Sequence, residues 1–148
     1  MAIPPLNEHG WLPDGVHDCM MEEAAERFGV FQRNDRRPAL WAQFSEFIRE
    51  AKACGLVEAV LLDGSFVTAK PEPNDIDIGL LVSATHDFAA DLNPSAYNVL
   101  SKRRVRRRFG FDILLARAGT DDVAEVVDFF RQVRNHPYLR KGILRIRL

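Results

Sequence analysis

Residues 75–82 read Asp-Ile-Asp-Ile-Gly-Leu-Leu-Val, and the alternation at their head selects an extended backbone. In a strand, side chains two apart share a face, so Ile76 and Ile78 turn one way while Asp75 and Asp77 turn the other. The pattern predicts a strand over Asp75–Val82 that starts half-exposed and ends buried, with two carboxylates presented in parallel at its start. Upstream, VEAVLLD at 57–63 is a short apolar run between Gly55 and Gly64 and predicts a second strand. The residues between them, 64–74, hold one Gly, two Pro and an Asn. That composition predicts a loop, with a helical turn near Ser65–Thr68.

Helical spacing frames these strands. Asp18 is placed to cap a short helix over Met20–Phe28 that Gly29 ends. A longer helix is expected from about Pro38 to about Cys54, stopped by Gly55, with Leu40, Trp41, Phe44, Phe47, Ile48 and Ala51 on one buried face. Asn93 and Pro94 predict a helix start that carries on into Lys102–Arg108. Phe111–Ala116 reads as a third strand, and Asp121 or Asp122 opens a last helix striped with Val123, Val126, Val127, Phe130 and Val133. Gly142–Leu148 alternates in the manner of an edge or tail strand. Residues 1–17 read as an irregular lead-in. Helices followed by interleaved strands and helices make an α+β or α/β fold, and 148 residues fit one domain spanning 1–148.

Composition narrows the class. Hydrophobic residues at 47% and ten Phe supply a core. A net charge of −1 means that any polyanion contact must come from a local patch. Cys19 and Cys54 lack paired ligand spacing, so neither a disulfide framework nor a zinc site is expected. Met1-Ala2 runs directly into Ile-Pro-Pro, and the apolar runs fall far short of the ~20 residues of a membrane span. The expectation is a cytoplasmic protein with no membrane partner.

The stretch LLDGSFVTAKPEPNDIDIGL at 61–80 carries chemistry. Without a Cβ at Gly64, backbone N–H groups can approach an anion closely, and the Ser65 hydroxyl can hydrogen-bond the same phosphate. Asp75 and Asp77 are the hard oxygen donors that Mg²⁺ or Mn²⁺ prefers. Two such ions about 4 Å apart clamp the attacking and leaving oxygens of an in-line displacement at phosphorus. Asp63, just before Gly64, reads as a turn or cap residue. Lys70 has two readings, as a loop lysine reaching a triphosphate or as a solvated one, and Arg140 and Lys141 share them. The run Lys102–Arg108 also stands as either a phosphate-binding patch or the solvated end of a helix with Val105 and Phe109 packed inward.

Gly-Ser, a spacer and Asp-x-Asp at the head of a strand together resemble the DNA-polymerase-beta-like nucleotidyltransferase superfamily. The chain looks closest to its small bacterial members, among them the minimal nucleotidyltransferases of toxin–antitoxin pairs. The lead-in IPPLNEHGWLPDGVHDC is also similar to the start of a bacterial family of short proteins built around GSFVT and P-x-DID. The resemblance implies a nucleotidyltransferase fold with a third carboxylate on a neighbouring strand, a place that Asp112 in FGFDILLA matches. It implies catalysis and metal binding by Asp75, Asp77 and Asp112, nucleotide binding by Gly64, Ser65 and Lys70, and Mg²⁺ or Mn²⁺ as cofactor. A nucleoside triphosphate would donate its nucleotidyl group to a protein or RNA hydroxyl. The nine-residue spacer between Ser65 and Asp75 is one shorter than in the best-described minimal members. Two readings from other classes stand beside this one: a non-catalytic, antitoxin-like module that meets a toxin or other partner protein, and an RNA-binding module with a vestigial pocket.

Overall fold

A computed structural model describes residues 3–30 and 34–148; of the expected lead-in, residues 1 and 2 lie outside these. In chain order the elements are β1 (Gly15–Cys19), α1 (Met21–Phe28), α2 (Arg36–Cys54), β2 (Val57–Asp63) and a 3₁₀ turn (Ser65–Val67). There follow β3 (Asp77–Val82), α3 (Pro94–Leu100), α4 (Lys102–Phe109), β4 (Asp112–Arg117), α5 (Asp121–Arg131), β5 (Gln132–Val133), β6 (His136–Arg140) and β7 (Gly142–Arg147). Five strands form one mixed sheet in the order β1-β7-β2-β3-β4, and β5 pairs with β6 as a separate hairpin. The fold is mixed α and β, as expected.

The alternation that opens β3 sorts the molecule into two layers. Ile76, Ile78, Leu80 and Val82 join the larger core, with the buried faces of α1, α2, α3 and α4. Leu61, Leu81, Ala116 and Ile143 face the opposite way and pack with Val126 and Phe130 of α5. Gly79 lies under that helix; a Cβ there would sit 3.1 Å from Val126 and 3.2 Å from Phe130. No helix among the described residues is long and apolar enough to cross a membrane.

Several expectations are corrected. Asp18 does not cap α1; it lies in β1, which begins inside the expected irregular lead-in, and its carboxylate receives two hydrogen bonds from Arg145, at 2.5 and 2.8 Å. The Met20 N–H instead donates to Glu23 at 3.1 Å. β7 is no edge strand but lies between β1, parallel to it, and β2, antiparallel. The expected single helix from Pro94 is two, because the Ser101 hydroxyl accepts the Arg104 N–H at 3.3 Å and starts α4 afresh. The strand after the loop begins at Asp77, so Asp75 stands just outside it.

The loop between β2 and β3 is held from α2. Arg37 is 1% exposed and donates to four carbonyls: Phe28 at 3.2 Å, Phe66 at 2.6 Å, Thr68 at 2.7 Å and Lys70 at 2.6 Å. Its guanidinium also lies 5.3 Å from the Phe66 ring centroid. Arg36 takes the other end of the loop, donating to Pro73 O at 2.9 Å and Asn74 O at 2.7 Å. Leaving buried carbonyls without donors costs about 1–3 kcal/mol each. Arg37→Met should therefore lower the unfolding free energy in urea by at least ~3 kcal/mol, with Arg37→Lys recovering only part. A loss below about 1 kcal/mol would mean that water replaces the guanidinium without penalty.

Candidate functional site

Register brings the site together. Asp63, the last residue of β2, is the cross-strand partner of Asp77, the first of β3. Asp77 is in turn the partner of Asp112, the first residue of parallel β4. All three share the parity of the residues that face α5, so three carboxylates stand in a row on one face at one end of the sheet, lining one cavity with Phe129 and Phe130. Asp75 is exposed on the chain just before β3.

Asp77 and Asp112 thus lie on adjacent strands, as the resemblance implies. The member that sequence reasoning missed is Asp63. It is no turn or cap residue: it is 4% exposed, and Lys141 Nζ lies 2.7 Å from its Oδ1. The ammonium meets that buried oxygen as an ion pair. The sequence signal was an acidic residue directly after the unbroken apolar run Ala59–Leu62 of an inner strand. Lys141 is accordingly neither a solvated lysine nor free for a phosphate, but is paired to this carboxylate.

Gly64 follows at φ 92°, ψ −179°, a conformation essentially confined to glycine. A Cβ there would come within 3.2 Å of Asp75 O and Asp77 N and 3.3 Å of Asp77 Oδ2. Its missing side chain thus makes room for the Asp75–Asp77 segment itself. The Ser65 hydroxyl accepts the Asn74 N–H at 3.1 Å, fastening the two ends of the nine-residue spacer. Gly64, Ser65, Asp75 and Asp77 line a groove of about 590 Å³ together with the exposed Lys70. Of the basic run, Arg106 pairs with Asp112, Arg108 makes two bonds to Glu50 of α2 at 2.6 and 3.0 Å, and Val105 is buried. Arg140 bonds the carbonyls of Pro137 and Leu139 in its own hairpin.

Crowding of like charge shows in the protonation of the row. Burial foremost, then Asp75, Asp63 and Asp112, raise Asp77 to about 6, with Lys141 opposing. Burial also raises Asp63, against the pull of Lys141. The donor chemistry, carboxylate oxygens gathered at one end of the sheet, fits a hard divalent cation. As the side chains stand, no group of three His, Cys, Asp or Glu among the described residues is arranged to hold a metal ion. Asp112, turned to Arg106, would have to leave that partner to join Asp77.

The model of a family of unknown function, DUF6932, matches residues 4–147, and the chain belongs to that family. No curated protein and no solved structure matches the chain.

A carboxyl group raised on folding favours the protonated native state, so its contribution to stability is greatest below its unfolded value, near 3.8, and is lost as pH rises through about 6. In buffer free of divalent ions, Asp77→Asn should stabilise the fold at pH 8 by about 1–2 kcal/mol after allowance for solvent screening. The advantage should vanish near pH 4. Urea unfolding of both proteins at the two pH values checks this, and an equal effect at both would show that charge is not the cause.

Proposed function

We propose that this member of the family is a metal-dependent nucleotidyltransferase, moving a nucleotidyl group from a nucleoside triphosphate to a hydroxyl of a protein or RNA. The observation that carries the reading is Asp77 and Asp112 side by side on parallel strands, with Asp75 two residues away and the Gly64–Ser65 turn packed against them. Asp75, Asp77 and Asp112 would hold Mg²⁺ or Mn²⁺, with Asp63 buried behind Asp77. The ion supplies charge neutralisation at the phosphate oxygens.

This chain's own residues do the rest. The backbone at Gly64–Ser65 and the Lys70 ammonium bind the phosphates and aim the α-phosphorus at the aspartates. Asp112, on edge strand β4, faces the open side from which an acceptor arrives and takes the proton of its hydroxyl. The hydroxyl oxygen bonds to the α-phosphorus as the bond to the bridging oxygen breaks, and pyrophosphate leaves. Release of Asp112 from Arg106 belongs to this cycle, and the freed guanidinium then stands beside the incoming anion.

One observation favours a second reading, a partner module without catalysis: Lys141 and Arg106 already neutralise Asp63 and Asp112 from within the chain. Ligand binding separates the two. Each of the four common triphosphates with Mg²⁺ or Mn²⁺ should be tested by thermal shift. The preferred one, at a hundred times its Kd, should raise Tm by about 5 °C or more. Asp77→Asn and Asp112→Asn should each abolish most of the rise, and wild-type protein should release pyrophosphate when an acceptor is supplied. No shift with any triphosphate would leave the partner-module reading.

A further inference from the structure

The nucleotide-side groove has a wall that the Gly-Ser and Asp-x-Asp motifs do not account for. His9 and Trp11 lie stacked, centroids 4.6 Å apart and planes 24° from parallel, and both line the groove that holds Ser65 and Lys70. Their loop is firmly built. Asn7 Oδ1 accepts the N–H groups of His9 at 2.9 Å and Trp11 at 3.1 Å, and Asn7 N–H donates to Trp11 O at 2.7 Å. Trp11 forms a bridge with Thr68, and Ala69 N–H donates to Gly10 O at 2.9 Å. Thr68 is in turn held by Arg37, so one set of bonds places the rings and the Gly64–Ser65 turn relative to each other.

A half-exposed pair of π-faces held this way serves no core: neither ring belongs to a buried cluster. The groove's volume suits a small ligand. Its cations stand on the same walls: Lys70 and Arg134, whose side chains make no hydrogen bond or ion pair among the described residues.

We infer that the His9–Trp11 stack is the nucleobase platform of this groove, taking the base of a nucleoside triphosphate as a third ring while the phosphates run toward Ser65 and Lys70. The inference rests on the proposed nucleotide reading and adds what that reading does not contain: a residue pair that recognises the base. Stacking is tolerant of base identity because every base has a π-face, so the platform favours purines by area over pyrimidines without reading their edges.

The test compares the best-binding nucleoside triphosphate with inorganic tripolyphosphate, both with Mg²⁺, by calorimetry. Wild-type protein should bind the nucleotide at least ~10-fold more tightly than tripolyphosphate. His9→Ala and Trp11→Ala should each erase most of that margin and leave tripolyphosphate affinity unchanged, while Trp11→Phe keeps part of it. If Trp11→Ala fails to fold, His9→Ala decides, since His9 is exposed. Equal wild-type affinity for the two ligands, or alanine variants that keep the margin, overturns the platform while nucleotide binding stands. Binding of neither ligand by wild-type protein overturns both.

Discussion

Four backbone carbonyls converge on the Arg37 guanidinium, and the acidic end of the sheet depends on them. The loop from Ser65 to Asn74 has too little apolar surface to fold by burial alone, and its prolines deny it a ladder of hydrogen bonds. Arg37 supplies the missing donors from a helix that the larger core already fixes, and Arg36 closes the far end. Because Phe66 and Val67 are buried beside it, the loop is anchored by packing as well as by charge. Gly64 can then bring its backbone against Asp75 and Asp77, and the carboxylate row keeps one geometry. The same clamp, through Thr68, fixes the loop bearing His9 and Trp11.

What the clamp holds in place is electrostatically costly. Asp63 is desolvated, Asp77 stands between two carboxylates across the strands, and the fold spends Lys141 and Arg106 on offsetting the excess. A sheet end needing only stability would be better served by apolar residues there, since a buried ion pair seldom improves on a packed hydrophobe. Perturbed carboxylates gathered beside a groove are the arrangement that functional sites favour. The two counter-ions differ in a useful way. Lys141 sits against a buried aspartate at the back of the row, whereas Arg106 holds an exposed one at its open edge, where an incoming ligand can displace it.

The parts of the fold that local pattern controls were legible. Asp-Ile-Asp-Ile fixes its own faces, Asn93-Pro94 its own cap and Gly64 its own turn, because each depends on neighbours within a few residues. What was hidden depends on partners far along the chain. Arg145 made Gly142–Leu148 look like an edge strand, yet β7 lies inside the sheet because Asp18 of β1 receives that guanidinium in two bonds. β1 itself was invisible, since GVHDC has no apolar alternation and becomes a strand only beside β7. Arg37 carries no local mark of its role, because its four acceptors lie 9 to 33 residues away along the chain. Asp63 carried the preference of aspartate for turns, and its burial depends on Lys141. The candidate site was therefore legible in Gly64, Ser65, Asp75, Asp77 and Asp112, and hidden in Asp63 and its lysine.

The most direct measurement is anomalous diffraction from crystals grown with Mn²⁺ and a non-hydrolysable nucleoside triphosphate. A manganese peak is expected beside the carboxylates of Asp75, Asp77 and Asp112, with Arg106 released from Asp112 and the phosphates against Gly64–Ser65. A peak absent from this end of the sheet, with the Arg106–Asp112 pair intact and the groove free of nucleotide, would contradict the proposed function.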